Sequence, residues 1–301
     1  MTWTGVFPAV TTKLKADGSF DPDAMASSLE RLIENGVSGL IVLPMLGENA
    51  SLSQQERDEV LDLSVATVAK RVPLLSGLAA ASTVDACFMA KNAQQRGIDG
   101  LMTFPSLAYK TDRRETVAWY KTVAAASDLP IMIYNNPIAY NVDVDVPTLQ
   151  ALHDVDTITC IKEETGDIRR VTDLYNAFGD RYAVFCGVDD LIVESLSLGV
   201  TGWVSGMTNA WPKECVEIFN AGRAGNFDAI RPLYRLMTPA FHLDTDVKLV
   251  QYIKLAENIV YGAPAGVRAP RLELEGEELA SVTAVIRKTV EDLARYQATS
   301  R

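Results

Sequence analysis

Eight short apolar runs recur along the chain, at 5–12, 39–45, 72–78, 98–104, 129–135, 157–163, 182–187 and 201–206, with helix-patterned segments between them. This repetition constrains the fold more than any other feature. Runs such as "GLIVLPM", "LPIMIYN" and "YAVFCG" are apolar at successive rather than alternate positions, as are strands buried on both faces of a parallel sheet. The segments between them carry helix punctuation. An amphipathic stretch covers 23–35. A second, 53–71, opens on "SQQE", a capping box, and a third should start at Ser82 and stop at Gly97. Strand–helix units in series predict an α/β fold of the (β/α)8 TIM barrel type. An open doubly wound sheet needs about six strands and a glycine-rich first turn; the turn after the first run, "TTKLKADGSF", has no GxGxxG. The barrel is expected over 1–222. The remainder, 223–301, reads as a C-terminal helical extension packed on the barrel, with helices at 226–241, 246–261 and 277–297.

Charge and composition narrow the function. A net charge of -11 argues against nucleic acid as a partner, because phosphate binding needs basic clusters. No apolar run reaches the roughly 18 residues that span a bilayer, and "MTWTGVFPAV" has no basic segment followed by a long apolar one. The cytoplasm is the expected compartment. The four cysteines form no CxxC pair, so neither a zinc nor a redox motif is indicated, and Cys160 and Cys186 are expected as buried free thiols. The only histidines, His153 and His242, are too few for a histidine-rich metal site. Neither lies beside a nucleophile motif, so both are expected on helix surfaces.

In a barrel of this type chemistry occurs at the C-terminal ends of the strands. Those ends bring Thr11 and Thr12, Met45 to Glu48, Gly77, Pro105, Tyr134 and Asn135, Lys162 and Glu163, Gly187 to Asp189, and Ser205 and Gly206. Lys162, in "TITCIKEETGD", is the only lysine among them. Burial in an apolar mouth favours the neutral amine, a nucleophile that makes a Schiff base with a carbonyl. The other reading is a lysine salt-bridged to Glu163 or Glu164. Tyr134 ends the neighbouring strand, where its phenol relays protons or simply packs in the core.

The strings "MIYNNP" and "IKEETGD" resemble the Schiff-base aldolase/lyase family of dihydrodipicolinate synthase and N-acetylneuraminate lyase. So do "GVFPAVTT", "LGENASLSQQER" and "GVDD…GVTGWVSGMTN". The resemblance implies that Lys162 forms the iminium and that Tyr134 is the proton relay. It further implies that a 2-oxo acid's carboxylate is held by the loop of Met45, Leu46 and Gly47, and that no metal or organic cofactor is needed. A homotetramer acting on a small molecule, away from membrane and nucleic acid, is the implied assembly. Gly187, Asp189, Ser205 and Gly206 are the further substrate-binding candidates. Asp189 and Asp190 match an acidic pair that holds sugar hydroxyls in the sialic acid lyase; a helix N-cap is the alternative for one of them. Glu48 is expected to bond loop backbone, and Trp203 and Trp211 to pack in the core or at an interface.

The chain departs from the synthase at three places. Met45 and Leu46 stand where the synthase has a hydroxyl-bearing pair. Ser106 and Leu107 fall at the position of its aromatic relay, with Tyr109 out of register. Ala139 replaces the arginine that holds the synthase's distal carboxylate. The strings "GVDDLIVESLSLGVTGWVSGMTNAWPKECV" and "KLVQYIK" resemble instead the 1-pyrroline-4-hydroxy-2-carboxylate deaminase branch, of hydroxyproline breakdown. The implied function is a Schiff-base lyase or deaminase on a small 2-oxo acid or cyclic imino acid, giving 2,5-dioxopentanoate and ammonia. A 2-oxo-3-deoxy sugar acid dehydratase, a pyruvate aldolase and a non-catalytic 2-oxo acid binder are the alternatives.

Overall fold

The computed structural model describes residues 3–299; the outermost residues of the expected 1–222 and 223–301 segments, 1–2 and 300–301, lie outside it. Each apolar run supplies one strand: β1 (Gly5–Pro8), β2 (Leu40–Val42), β3 (Leu74–Leu78), β4 (Gly100–Thr103), β5 (Ile131–Asn135), β6 (Ile158–Glu163), β7 (Ala183–Cys186) and β8 (Gly202–Ser205). The strands are shorter than the runs because the C-terminal part of several runs turns into the loops that build the mouth. Neighbouring strands pair in parallel from β2 through β8 to β1. The last gap is closed by Val10 N–H donating to the Ile41 carbonyl and Ser38 N–H to the Val6 carbonyl, both at 2.8 Å. The result is a closed barrel, as the repetition of units predicts. Its interior is filled by complementary sizes: Phe7 and Phe185 meet edge to face at 5.4 Å. Their rings occupy the space that side chains at Gly39 and Gly202 would need, so the glycines are required by packing.

Around the barrel run α1 (Pro22–Glu34), α2 (Gln54–Val68), α3 (Thr83–Arg96), α4 (Arg113–Ala124), α5 (Pro137–Tyr140), α6 (Val146–Gln150), α7 (Arg169–Phe178), α8 (Ile192–Ser197) and α9 (Pro212–Arg223). The expected capping box at Ser53 forms in full with Glu56. Ser82 caps α3, which ends at Gly97 in the left-handed conformation. The helix expected to reach residue 71 stops at Val68, since Ala69 and Lys70 turn left-handed toward β3.

Three further helices, α10 (Phe227–Phe241), α11 (Leu249–Tyr261) and α12 (Gly276–Thr299), follow the last barrel helix. α11 begins later than residue 246 because His242–Thr245 forms a 3-10 turn and the Asp246 carboxylate accepts from the Lys248 amide at 2.9 Å. Two buried ion pairs tie α11 to the barrel. Lys254 Nζ donates to Glu48 Oε1 at 2.5 Å, both side chains fully buried. Lys13 Nζ donates to Glu257 and to Thr11 Oγ1, again without exposure. Burial pushes the pKa of both lysines down, and the paired carboxylates oppose it. Such pairs contribute little net stability, but losing one partner strands a buried charge. Here they fix where the extension sits over the barrel mouth. No helix among the described residues is long and apolar enough to cross a membrane.

Candidate active site

Lys162 and Tyr134 lie side by side because β5 and β6 pair with those two residues in register. In a parallel barrel, residues in register share a layer and a direction. The lysine Nζ stands 4.1 Å from the centre of the Tyr134 ring and 2.6 Å from Glu164 Oε2. The ammonium is therefore paired, as the salt-bridge reading has it, but it remains on the wall of a cleft shared with Tyr134, Glu164, Met45, Leu46 and Gly206. The Glu164 carboxylate that pairs with it is also a possible proton acceptor within reach. Gly187 makes this possible, since a side chain there would meet the Lys162 stem at 2.8 Å.

Asn136 organises the other side. Its Nδ2 donates to the Tyr134 hydroxyl at 3.1 Å and to Glu164 Oε1 at 2.9 Å, and its Oδ1 accepts from the Ala139 amide at 2.9 Å. Burial first, then the Glu164 charge, pushes the Tyr134 phenol well above its ordinary pKa, so it holds its proton. Phe104 and Tyr140 pack edge-on against its ring at 4.8 and 5.6 Å.

The loop after β2 is held in an unusual backbone. Leu43 and Glu48 both have positive φ, 54° and 53°, a conformation that costs a non-glycine residue on the order of 1 kcal/mol or more. Asn49 Nδ2 stabilises it by donating to the Leu43 carbonyl at 2.9 Å. Within the loop, the Gly47 amide is spent on the Pro44 carbonyl at 3.1 Å and the Glu48 amide on the Met45 carbonyl at 2.9 Å. The amides of Met45 and Leu46 donate to no described residue. Two adjacent N–H groups left open beside a lysine form a small concavity suited to a carboxylate.

Of the nine site residues expected from sequence, Lys162, Tyr134, Met45, Leu46 and Gly206 line the cleft. Gly47, Gly187, Asp189 and Ser205 stand behind it. The Asp189 side chain is fully buried and accepts from the Trp203 indole N–H at 2.9 Å and the Met207 amide at 2.8 Å. The Ser205 hydroxyl accepts from the Thr208 amide at 3.0 Å. This arrangement braces the segment after β8. Trp203 and Trp211 are buried and Glu48 is paired with Lys254, so all three are packing or bracing groups. Tyr109 points away, its hydroxyl donating to Glu115 Oε1 at 2.8 Å. His153 lies in an exposed turn, and His242 contacts Asp190 at 2.6 Å. Cys160 and Cys186 are buried and free. Lys162 is not the only lysine near a strand end: Lys13 is more deeply buried but enclosed with Glu257 and absent from the cleft wall. Sequence reasoning gave Glu164 only as a salt-bridge partner and did not find Asp244, which the turn before α11 brings to the cleft. A wider hollow of about 640 Å³ lies at the opposite end of the barrel. That hollow lies around Trp3, Pro73 and Pro130; it carries Lys70, Asp99, Asp128 and Asp156 but no tyrosine, and its lysine is paired with Asp99 at 2.6 Å.

Burial pushes the Asp189 carboxyl up to about 7. Its folded pKa thus exceeds its unfolded value of 3.8, so the native state binds the proton more tightly. The stability this contributes is fully present below the unfolded pKa and is lost as pH rises to about 7. Asp189→Asn should flatten the fall in melting temperature between pH 5 and pH 8. At pH 5 it should also destabilise by about 1–3 kcal/mol, because one amide oxygen must serve two N–H donors. Thermal unfolding at the two pH values reads both effects. Identical slopes for variant and wild type would contradict the assignment.

The family model for the dihydrodipicolinate synthetase family matches residues 2–289. A 4-hydroxy-tetrahydrodipicolinate synthase from Methanothrix thermoacetophila is 31% identical over 288 residues, covering 94% of this chain and 96% of that protein. Among solved structures, the 4-hydroxy-tetrahydrodipicolinate synthase of Methylacidiphilum fumariolicum SolV superposes with a TM-score of 0.92 at 27% identity, covering 98% of both chains. A prophage protein of the same family from E. coli K12, solved in complex with pyruvate, gives 0.90 at 25% identity, with 96% and 99% covered. With a closed barrel, a lysine and tyrosine in register at its mouth, and a match along almost its whole length, this chain is a Schiff-base lysine lyase of the dihydrodipicolinate synthetase family.

Proposed function

We propose that this lyase eliminates a β-hydroxyl from a small 2-oxo acid or its cyclic imine, and that its reaction is deamination of 1-pyrroline-4-hydroxy-2-carboxylate. The observation that carries the proposal is Lys162 on the cleft wall, 2.6 Å from Glu164, in a cleft also lined by Met45 and Leu46, whose amides have no described partner. Glu164 takes a proton from the ammonium, and the amine adds to the imine carbon C2 while the substrate carboxylate rests on those amides. The ring nitrogen takes the proton from Glu164 and leaves C2 as the ring opens, giving an iminium on Lys162. That electron sink acidifies C3, whose proton passes to a base in the cleft. Loss of the 4-hydroxyl and hydrolysis then give 2,5-dioxopentanoate and ammonia, with one water consumed overall.

Three residues support elimination over the synthase's condensation. Met45 and Leu46 offer no hydroxyls, and Ala139 offers no guanidinium for a second carboxylate. Losing one charged hydrogen bond weakens binding by about 1.5–3 kcal/mol, roughly 10–100-fold. The relatives' name, 4-hydroxy-tetrahydrodipicolinate synthase, is thus taken to mark the family and not the substrate. We place the reaction in the cytoplasm, which suits the buried free thiols of Cys160, Cys186 and Cys215. We also propose a homotetramer, in which exposed Val84, Phe88 and Tyr109 would be covered.

The deciding assay couples product formation to an aldehyde dehydrogenase specific for 2,5-dioxopentanoate, with light scattering on the same sample for the mass. Turnover of the pyrroline is the expected result. Turnover of 2-oxo-3-deoxy sugar acids alone would move the reading to a dehydratase. Efficient condensation of pyruvate with aspartate semialdehyde would overturn it in favour of the synthase, and binding without any turnover would leave a non-catalytic 2-oxo acid binder.

A further inference from the structure

Asp244 comes to the mouth from outside the barrel, in the 3-10 turn His242–Thr245 that joins α10 to α11. It lines the cleft with Lys162, Tyr134 and Glu164. Its Oδ1 occupies the space over Gly206 that any side chain there would fill. No described residue donates a hydrogen bond to its carboxyl. The turn that carries it is anchored on two sides. His242 Nδ1 lies 2.6 Å from Asp190 Oδ2, and the helix that follows is clamped by the Lys254–Glu48 pair. A carboxyl held this firmly, with no protein partner and facing the reactive lysine, is placed for a group that the protein does not contain.

We propose that Asp244 is the catalytic acid that protonates the leaving hydroxyl of the Lys162-bound substrate, in place of the hydroxyls that Met45 and Leu46 lack. The proposal rests on the Schiff-base reading of the site. Hydroxide is a poor leaving group, so elimination needs a proton delivered to the departing oxygen. Once the C3 proton has passed to Glu164, the enamine electron pair forms the C3–C4 double bond as the C4–O bond breaks. The oxygen takes the Asp244 proton and leaves as water. Asp244 ends as a carboxylate, and the proton held on Glu164 restores it through solvent. Burial, with the charges of Asp189, Glu164 and Asp190 adding to it and Lys162 opposing, pushes the Asp244 carboxyl well above its ordinary range. Two carboxyls in one cleft, one paired to a lysine and one pushed upward by burial and like charge, divide the base and acid roles.

The test compares wild type, Asp244→Asn and Asp244→Glu on three readouts. These are borohydride trapping with pyruvate, elimination from 4-hydroxy-2-oxobutanoate, and elimination from 4-chloro-2-oxobutanoate, whose chloride needs no proton. Asp244→Asn should still be trapped at Lys162, which also shows that it folds. It should lose on the order of 10²–10⁴-fold with the hydroxy acid, the range of a general acid, and far less with the chloro acid. Asp244→Glu should recover part of the loss. Equal losses with both leaving groups, or none with either, would overturn the assignment, as would a wild type that expels chloride but not hydroxide. No adduct on the wild type would remove the Schiff-base reading and this proposal with it. Turnover of the hydroxy acid without turnover of the pyrroline would remove only the substrate assignment, and the leaving-group comparison would still judge Asp244.

Discussion

Lys162→Ala should lose on the order of 10⁴-fold or more in turnover, the scale seen when a covalent nucleophile is removed. Glu164, Tyr134 and Asp244 surround the lysine, but none of them forms an imine with a carbonyl, so no electron sink remains to acidify the substrate's C3. The fold should survive. Lys162 is close to buried, but its loss leaves Glu164 bonded to Asn136 and open to the cleft. An alanine variant with an unchanged melting temperature and residual activity within tenfold of wild type would show that chemistry proceeds without the lysine.

Tyr134→Phe carries the second largest expected effect, a fall in kcat of about 10²–10⁴-fold, the usual contribution of a positioned proton-transfer group. Only the hydroxyl is lost; the ring keeps its contacts with Phe104 and Tyr140, and Asn136 keeps Glu164 as an acceptor. Stability should therefore change by no more than about 1 kcal/mol, the net worth of one hydrogen bond. Stopped trapping at timed intervals should show slower iminium formation with the same final stoichiometry. Unchanged kinetics would mean that Glu164 and water carry the protons unaided.

What was legible in the sequence was what depends on local pattern. The strands announced themselves because both faces are buried, and Ser53 and Ser82 marked helix starts because capping is decided within four residues. Lys162 and Tyr134 could be paired because both lie at the ends of neighbouring strands. The rest depends on contacts between distant segments. Lys13 and Glu257 are 244 residues apart, and nothing in "TTKLKAD" tells that its lysine is enclosed by a helix of the extension. Asp189 sits one residue from Asp190 and at the expected strand end, yet it turns inward to Trp203 and Met207 while Asp190 meets His242. Sequence spacing does not decide between those two directions. Asp244 was missed because "FHLDTDVK" reads as an ordinary polar turn. Its place over Gly206 exists only once the extension is folded onto the barrel.

The central claim is that Lys162 becomes covalently joined to the carbonyl carbon of a 2-oxo acid. Borohydride reduction in the presence of pyruvate, followed by digestion and peptide mass spectrometry, tests it most directly. The account predicts a single reduced pyruvate adduct on the peptide containing Lys162, absent from Lys162→Ala. An adduct on another lysine, or a protein that turns over its substrate yet is never trapped, would contradict it.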